Sequence, residues 1–346
     1  MSVSYADNAV LAKAHAMYGK RLTKSNYEDM LNCRSLGELA NYLKTRTYYS
    51  ADFESLPTSL GAAQIEELLK ISLLKKCEKL CEYQLSVGEG FYKYYIVQND
   101  IRQIMTVIRL LIAGKPENYL SSLPPFFNSR TEIDLYALAN VRSYSDLLGV
   151  LEHTEYAKIL ERYKESFAME DVYILIENSL NKYLFSFLMD SVKACKDRRR
   201  KKEIYEIVSY RFDMYSLTRA YRLLSLGFAD KFLLNDFIIR ENTNFSEKDL
   251  AALVSAKSSA DVVRIIPTTY YKKDFAKIDF SYIEKATQEM LVNKMTKGLR
   301  YYTNPTAVML SYLFLAENEI KNITHIVEAV KYKIPTSKTD SVLIGI

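Results

Sequence analysis

A chain that states one pattern three times is constrained to fold as three similar units, and this sequence does so. The pattern first reads Asn99-Asp100-Ile101-Arg102-Gln103-Ile104-Met105-Thr106-Val107-Ile108-Arg109. It returns as Phe212-Asp213-Met214-Tyr215-Ser216-Leu217-Thr218-Arg219-Ala220-Tyr221-Arg222 and as Asn318-Glu319-Ile320-Lys321-Asn322-Ile323-Thr324-His325-Ile326-Val327-Glu328. The acids Asp100, Asp213 and Glu319 stand 113 and 106 residues apart. Repetition at a fixed period is the signature of stacked or symmetric units that bury their apolar faces against one another.

Two further markers recur in register. Ile65-Glu66, Ile176-Glu177 and Ile283-Glu284 precede the three acids by 35, 37 and 36 residues, and each opens a helical stretch. Farther upstream, segments 27–39, 135–147 and 250–262 each carry an apolar pair, a basic residue and a serine (Ser35, Ser143, Ser258). An acid followed by an aliphatic residue completes each segment.

The units read as helical. Ile101, Ile104, Met105, Ile108 and Leu111 fall on one helix face by their i, i+3, i+4, i+7 spacing. The three long patterns read as helix starts. Asp100 and Glu319 then stand where an N-cap or first-turn acid satisfies free backbone N–H groups; a contact shared with a partner is the alternative. Asp171 to Cys195, free of Gly and Pro, predicts one long helix, and a second is predicted from Tyr282 to Tyr301, stopping before Asn304-Pro305. Strand-like alternation is missing, so the expected fold class is all-α. Ten glycines and seven prolines among 346 residues agree with that. Punctuation at Ser121–Asn128, Glu241–Ser246 and Lys333–Thr339 divides the chain into helical lobes over residues 1–120, 121–240 and 241–346.

Catalytic signatures are missing. His15, His153 and His325 lie in different repeat contexts, without a recognisable nucleophile and orienting partner. Gly88-Glu89-Gly90 reads as a two-glycine turn, and Gly114-Lys115-Pro116 is no phosphate loop. Cys33, Cys77, Cys81 and Cys195 do not make a disulfide framework. Cys77 and Cys81 are one helical turn apart, but no third and fourth ligand completes a tetrahedral metal set. The expectation is a non-catalytic protein without cofactor or metal. The start carries no signal-peptide pattern and no run is apolar enough to span a bilayer, so a soluble, cytoplasmic protein is expected.

A net charge of +5 is mild, and nucleic-acid binding is not favoured. The dense run of Lys196 and Arg198-Arg199-Arg200-Lys201-Lys202 reads as a solvated turn, or as a contact for an acidic partner or anionic lipid. Among 28 tyrosines, Tyr49, Tyr156 and Tyr271 each follow a short serine-bearing segment; helix packing explains them most economically.

Taken together, the triple pattern, the segment Tyr18-Gly19-Lys20-Arg21-Leu22-Thr23-Lys24 and the ending Glu317–Pro335 resemble the central-stalk C subunit of the prokaryotic V-type ATPases, the counterpart of the eukaryotic d subunit. The resemblance covers the whole chain. It implies three helical lobes related by pseudo-threefold symmetry, forming a funnel with a central cavity. It also implies a rotor component on the cytoplasmic face of the membrane, a peripheral protein linking central-shaft subunits D and F to the membrane rotor ring of c/K subunits. Such a socket transmits torque for sodium or proton transport and hydrolyses nothing. On this reading Asp100, Arg109, Asp213, Arg222 and Glu319 line or brace the socket, and Arg198, Arg199 and Arg200 face the membrane or ring. Glu328 stands where the other copies carry Arg109 and Arg222, so a basic ring would be incomplete. The alternative is a helical adaptor of another membrane-associated complex.

Overall fold

The structure, a computed structural model, describes residues 5–54, 61–82, 88–122, 131–169, 171–195, 198–276 and 282–346. Every regular element among them is helical. The chain opens with α1 (Tyr5–Gly19), α2 (Lys24–Leu31), α3 (Leu36–Arg46), α4 (Ala62–Cys81) and α5 (Gly88–Ile112). Next come α6 (Leu135–Ala139), α7 (Tyr144–Val150), α8 (Glu155–Leu160), α9 (Val172–Ala194) and α10 (Arg198–Ser225). The remainder is α11 (Lys231–Phe237), α12 (Glu247–Val254), α13 (Ser259–Ile265), α14 (Lys272–Phe275), α15 (Ile283–Tyr301), α16 (Pro305–Tyr332) and α17 (Thr336–Asp340). A cluster of short helices precedes each pair of long ones, and this happens three times.

The chain divides into two compact units, Met1–Leu69 with Val192–Ile346, and Lys70–Ser191. The core of the first is α16, whose residues from Pro305 to Phe314 are all buried, as a helix apolar on every side requires. Helices α15, α10, α1, α2 and α3 pack on it. At Gly298 of α15 a Cβ would fall 2.6 Å from Ser311 Oγ of α16, so the missing side chain permits close approach of the pair. In the second unit, α5 packs on the 3₁₀ turn Pro116–Ser122, and α6, α7 and α8 follow in series.

The two long helices expected from sequence are α9 and α15, each within a residue of the predicted bounds. Asn304 caps α16 by accepting from Thr306 N, and Pro305 takes its first position. Three expectations need correction. The repeated patterns are not helix starts, because Asp100, Asp213 and Glu319 lie near the middles of α5, α10 and α16 and cannot cap them. Gly88-Glu89-Gly90 opens α5. The basic run from Arg198 onward is the first turn of α10 rather than a turn between helices. Of the expected breaks, Glu241–Ser246 is non-helical, and Ser121–Asn128 lies mostly outside the described residues.

The recurring serine and acid are helix-capping devices. Ser35 Oγ accepts from Glu38 N at 3.2 Å, while Glu38 Oε2 accepts from Arg34 N at 2.8 Å. Ser143 and Asp146 make a reciprocal capping box at α7, and Ser258 and Asp261 make another at α13. Hydrogen bonds from Arg142 N and the Ser143 hydroxyl hold the Asp146 carboxyl below its ordinary range; the Ser258 hydroxyl leads the same effect on Asp261.

The long helices also end alike. Fourteen residues after each acid stands a residue with left-handed backbone: Gly114 (φ 66°), Gly227 (φ 89°) and Lys333 (φ 54°). The amides that follow close the turn, from Lys115 to Leu110 O, Phe228 to Leu223 O and Ile334 to Ala329 O, each at 2.9 Å. Lys333 carries a steric penalty that glycine escapes in the other two copies. Lys333→Gly is therefore expected to raise unfolding free energy by about 0.5–1 kcal/mol, and Gly227→Ala to lower it by about 1 kcal/mol. Denaturant titration measures both, and a neutral or destabilising Lys333→Gly contradicts the assignment.

Candidate functional site

The three acids that mark the repeat are buried, with Asp100 1%, Asp213 0% and Glu319 7% exposed. A carboxylate removed from water must recover its hydrogen bonds or surrender its charge. Each of these recovers them from a tyrosine that follows one of the serine-bearing segments. Asp100 Oδ2 accepts from the Tyr156 hydroxyl at 3.1 Å, and Oδ1 accepts from Thr131 Oγ1 at 2.5 Å. Asp213 Oδ2 accepts from the Tyr271 hydroxyl at 2.5 Å and Asn244 N at 2.8 Å, and Oδ1 accepts from Thr243 Oγ1 at 2.5 Å. Glu319 Oε1 accepts from the hydroxyls of Tyr48 and Tyr49, the latter at 2.9 Å, and Oε2 accepts from Leu22 N at 2.8 Å.

The order of these pairs matters more than any one of them. The acid of the first copy holds the tyrosine of the second, and the acid of the second holds that of the third. The acid of the third then holds the tyrosine of the first, across 270 residues of sequence. Tyr49, Tyr156 and Tyr271 are themselves fully buried. Burial and the adjoining carboxylate push each phenol far above its ordinary range, so all three remain donors. Local geometry aims two of them: Thr47 Oγ1 and Thr269 Oγ1 accept from the backbone N of Tyr49 and Tyr271 at 3.2 Å.

Around the third clamp lies a small cavity of about 60 Å³, bordered by Arg21, Tyr48, Asn318, Glu319 and Asn322. It has room for a few water molecules. Its wall is completed by Ile344, whose carbonyl accepts from Asn318 Nδ2 and Asn322 Nδ2 at 2.9 Å each and whose N–H donates to Asn322 Oδ1 at 3.1 Å.

The other residues singled out in the sequence lie apart from the clamps. Arg109 and Glu328 are exposed. Arg222 is half exposed and donates through Nε to Glu284 Oε1 at 2.5 Å, and this bond holds the Glu284 carboxyl below its ordinary range. Arg198, Arg199 and Arg200 are the first three residues of α10, whose first turn holds no acid; Arg198 is exposed. Cations at a helix N-terminus oppose its dipole. His15, His153 and His325 are all exposed and lie outside the clamps. Among the described residues no cluster of His, Cys, Asp or Glu has the size to hold a metal, and no helix is long and apolar enough to cross a membrane.

Sequence reasoning found the acids and noticed the tyrosines but did not join them, and it missed Thr131, Thr243 and Asn244. The available signal was spacing: each tyrosine follows its marker serine by 13 or 14 residues, with a threonine two places before it.

Burial pushes Asp100 and Asp213 up from 3.8 to about 6, although threonine and tyrosine hydroxyls pull the other way. Below pH ~3.8 each acid is protonated in folded and unfolded chains alike, and its contribution to stability is complete. As pH rises through 6 the unfolded chain has already released its proton, and stability falls by about 3 kcal/mol per acid. Wild type minus Asp213→Asn should therefore lose about 3 kcal/mol of relative unfolding free energy between pH 3 and pH 7. Urea titration across that window tests it; a difference that ignores pH contradicts it.

Comparison with known proteins adds a family match along most of the chain. The family profile described as the ATP synthase (C/AC39) subunit matches residues 10–342. The C subunit of the A-type ATP synthase of Thermococcus kodakarensis is 23% identical over 326 residues, covering 92% of this chain and 85% of the relative. Those of Pyrococcus furiosus and Methanosarcina mazei are each 22% identical, covering 93% and 90% of this chain and 86% of each relative. With its three repeats, its all-helical fold and a match along nearly its whole length, this chain belongs to the C/AC39 subunit family of the rotary ATP synthases.

Proposed function

We propose that this chain is the non-catalytic socket of a V/A-type rotary ATPase, seating central-shaft subunits D and F and resting on the membrane rotor ring. It carries torque between them for sodium or proton transport, as a peripheral component on the cytoplasmic face. The observation that carries this reading is the cyclic order of the clamps. In an open array the last copy's acid has no reason to hold the first copy's tyrosine; in a closed set of three lobes it must. Closure supports three helical lobes around a cavity that seats a shaft end. A torque-bearing element must also resist local opening, and buried charge-assisted hydrogen bonds between successive copies provide that stiffness.

On this reading the three acids brace the socket from inside the protein, while exposed Arg109 and Arg222 face the shaft. The basic first turn of α10 faces the ring or the anionic membrane surface, a use that accounts for cations placed against a helix dipole. Ring contacts are many and individually modest, because three lobes need not match the ring's subunit number.

Titrating the purified chain with a D–F shaft complex tests the proposal. The double variant Arg109→Glu/Arg222→Glu should weaken binding at least tenfold, since each reversal replaces attraction with repulsion of about 1 kcal/mol or more. Neutralising Arg198, Arg199 and Arg200 should leave shaft binding intact and reduce salt-sensitive association with ring-containing vesicles. Failure of the wild-type chain to bind either partner removes the proposal. Unchanged shaft affinity in the double variant removes the two arginines from it.

A further inference from the structure

We propose that Cys77 and Cys81 form a reversible dithiol–disulfide pair, a peroxide-modified site at the C-terminal end of α4. Their sulfurs lie 3.8 Å apart. Cys77 is fully buried, and Cys81, the last residue of α4, is half-buried and reachable from solvent. An accessible thiol backed by a buried one in contact is the arrangement of an attacking and a resolving cysteine.

Aligned on the Ile-Glu markers, the same two positions hold Leu188 and Val192 in α9, and Met295 and Leu299 in α15. All four are at most 2% exposed. Packing alone thus calls for apolar side chains here, and one cysteine as a small hydrophobe would suit it. The first copy instead places thiols at both positions and leaves the outer one partly uncovered, which packing does not require.

The chemistry needs only a hydroperoxide as oxidant. The Cys81 thiolate attacks one oxygen of hydrogen peroxide; the S–O bond forms, the O–O bond breaks, and hydroxide leaves and takes a proton to become water. Cys81 is then a sulfenic acid, oxidised by two electrons. Cys77 loses its proton and its sulfur attacks that of Cys81; the S–S bond forms, the S–O bond breaks, and the second water departs. The hydrogen bond to Cys81 and burial hold the Cys77 thiol well above its ordinary range, so it stays protonated until its partner is oxidised. Side chains four apart on a helix hold their Cβ atoms about 5–6 Å apart, whereas a disulfide needs about 3.5–4.5 Å. The last turn of α4 must therefore give, including the bond from Glu82 N to Glu78 O at 3.0 Å. A bond formed against the helix is readily reversed by thiols.

The test treats the full chain with hydrogen peroxide, quenches with N-ethylmaleimide and maps all four cysteines by mass spectrometry. The expected result is a dithiothreitol-reversible loss of two hydrogens linking Cys77 to Cys81, at least tenfold faster than any change at Cys33 or Cys195. Burial holds the Cys33 thiol up at about 11, which makes it a slow internal comparator. Cys77→Ala should instead carry sulfenic and then sulfinic acid on Cys81, and faster exchange of the Glu82 amide should appear only in the oxidised wild type. Irreversible oxidation of Cys81 with Cys77 still alkylated overturns the proposal, as does oxidation no faster than that of Cys33.

Discussion

A carboxylate that has left water must be met by donors, and the whole repeat is arranged around meeting three of them. Asp100, Asp213 and Glu319 sit in the middles of long helices, where helix geometry offers them no backbone amide. Their donors come from the next copy of the repeat, and no copy is complete alone. Replacing such an acid strands two hydroxyls, and removing a tyrosine strands a buried acid. Either loss costs more than the bond itself contributes to stability. The clamps thus tie the copies together while the apolar helix faces supply most of the burial.

Local devices prepare each clamp. The capping boxes at Ser143 and Ser258 and the cap at Ser35 start a short helix at a fixed place. A threonine then turns the chain, and the tyrosine arrives at the acid. Left-handed corners at Gly114, Gly227 and Lys333 end each long helix at the same distance beyond the acid. The third copy departs most from the others: glutamate for aspartate and a second tyrosine in its clamp, lysine for glycine at its corner. The longer Glu319 side chain reaches two phenols and the Leu22 amide, so the same function is met by different atoms.

Much of this was legible in the sequence. The period, the Ile-Glu pairs, the bounds of α9 and α15, and the all-helical class follow from apolar spacing and from the placement of Gly and Pro. The serine-acid marker was visible too, and the structure gives it a mechanism. What misled was the character of the acids. An acid before an apolar periodic run looks the same whether it opens a helix or sits buried inside one, because the difference is made by residues 30 to 297 positions away. The basic run at Arg198 hid the continuity of α10 for a related reason: nothing local reveals a helix that begins against its own dipole.

Of the three clamps, the third ties the first short helices to the last long helix, and the cyclic order of the repeat stands or falls with it. Native-state hydrogen exchange on Tyr49→Phe tests that tie most directly. Amide protection should fall together in α2, α3 and α16, by about tenfold or more, while α5 to α8 keep theirs. Protection lost only in α2 and α3, or lost nowhere, would contradict it.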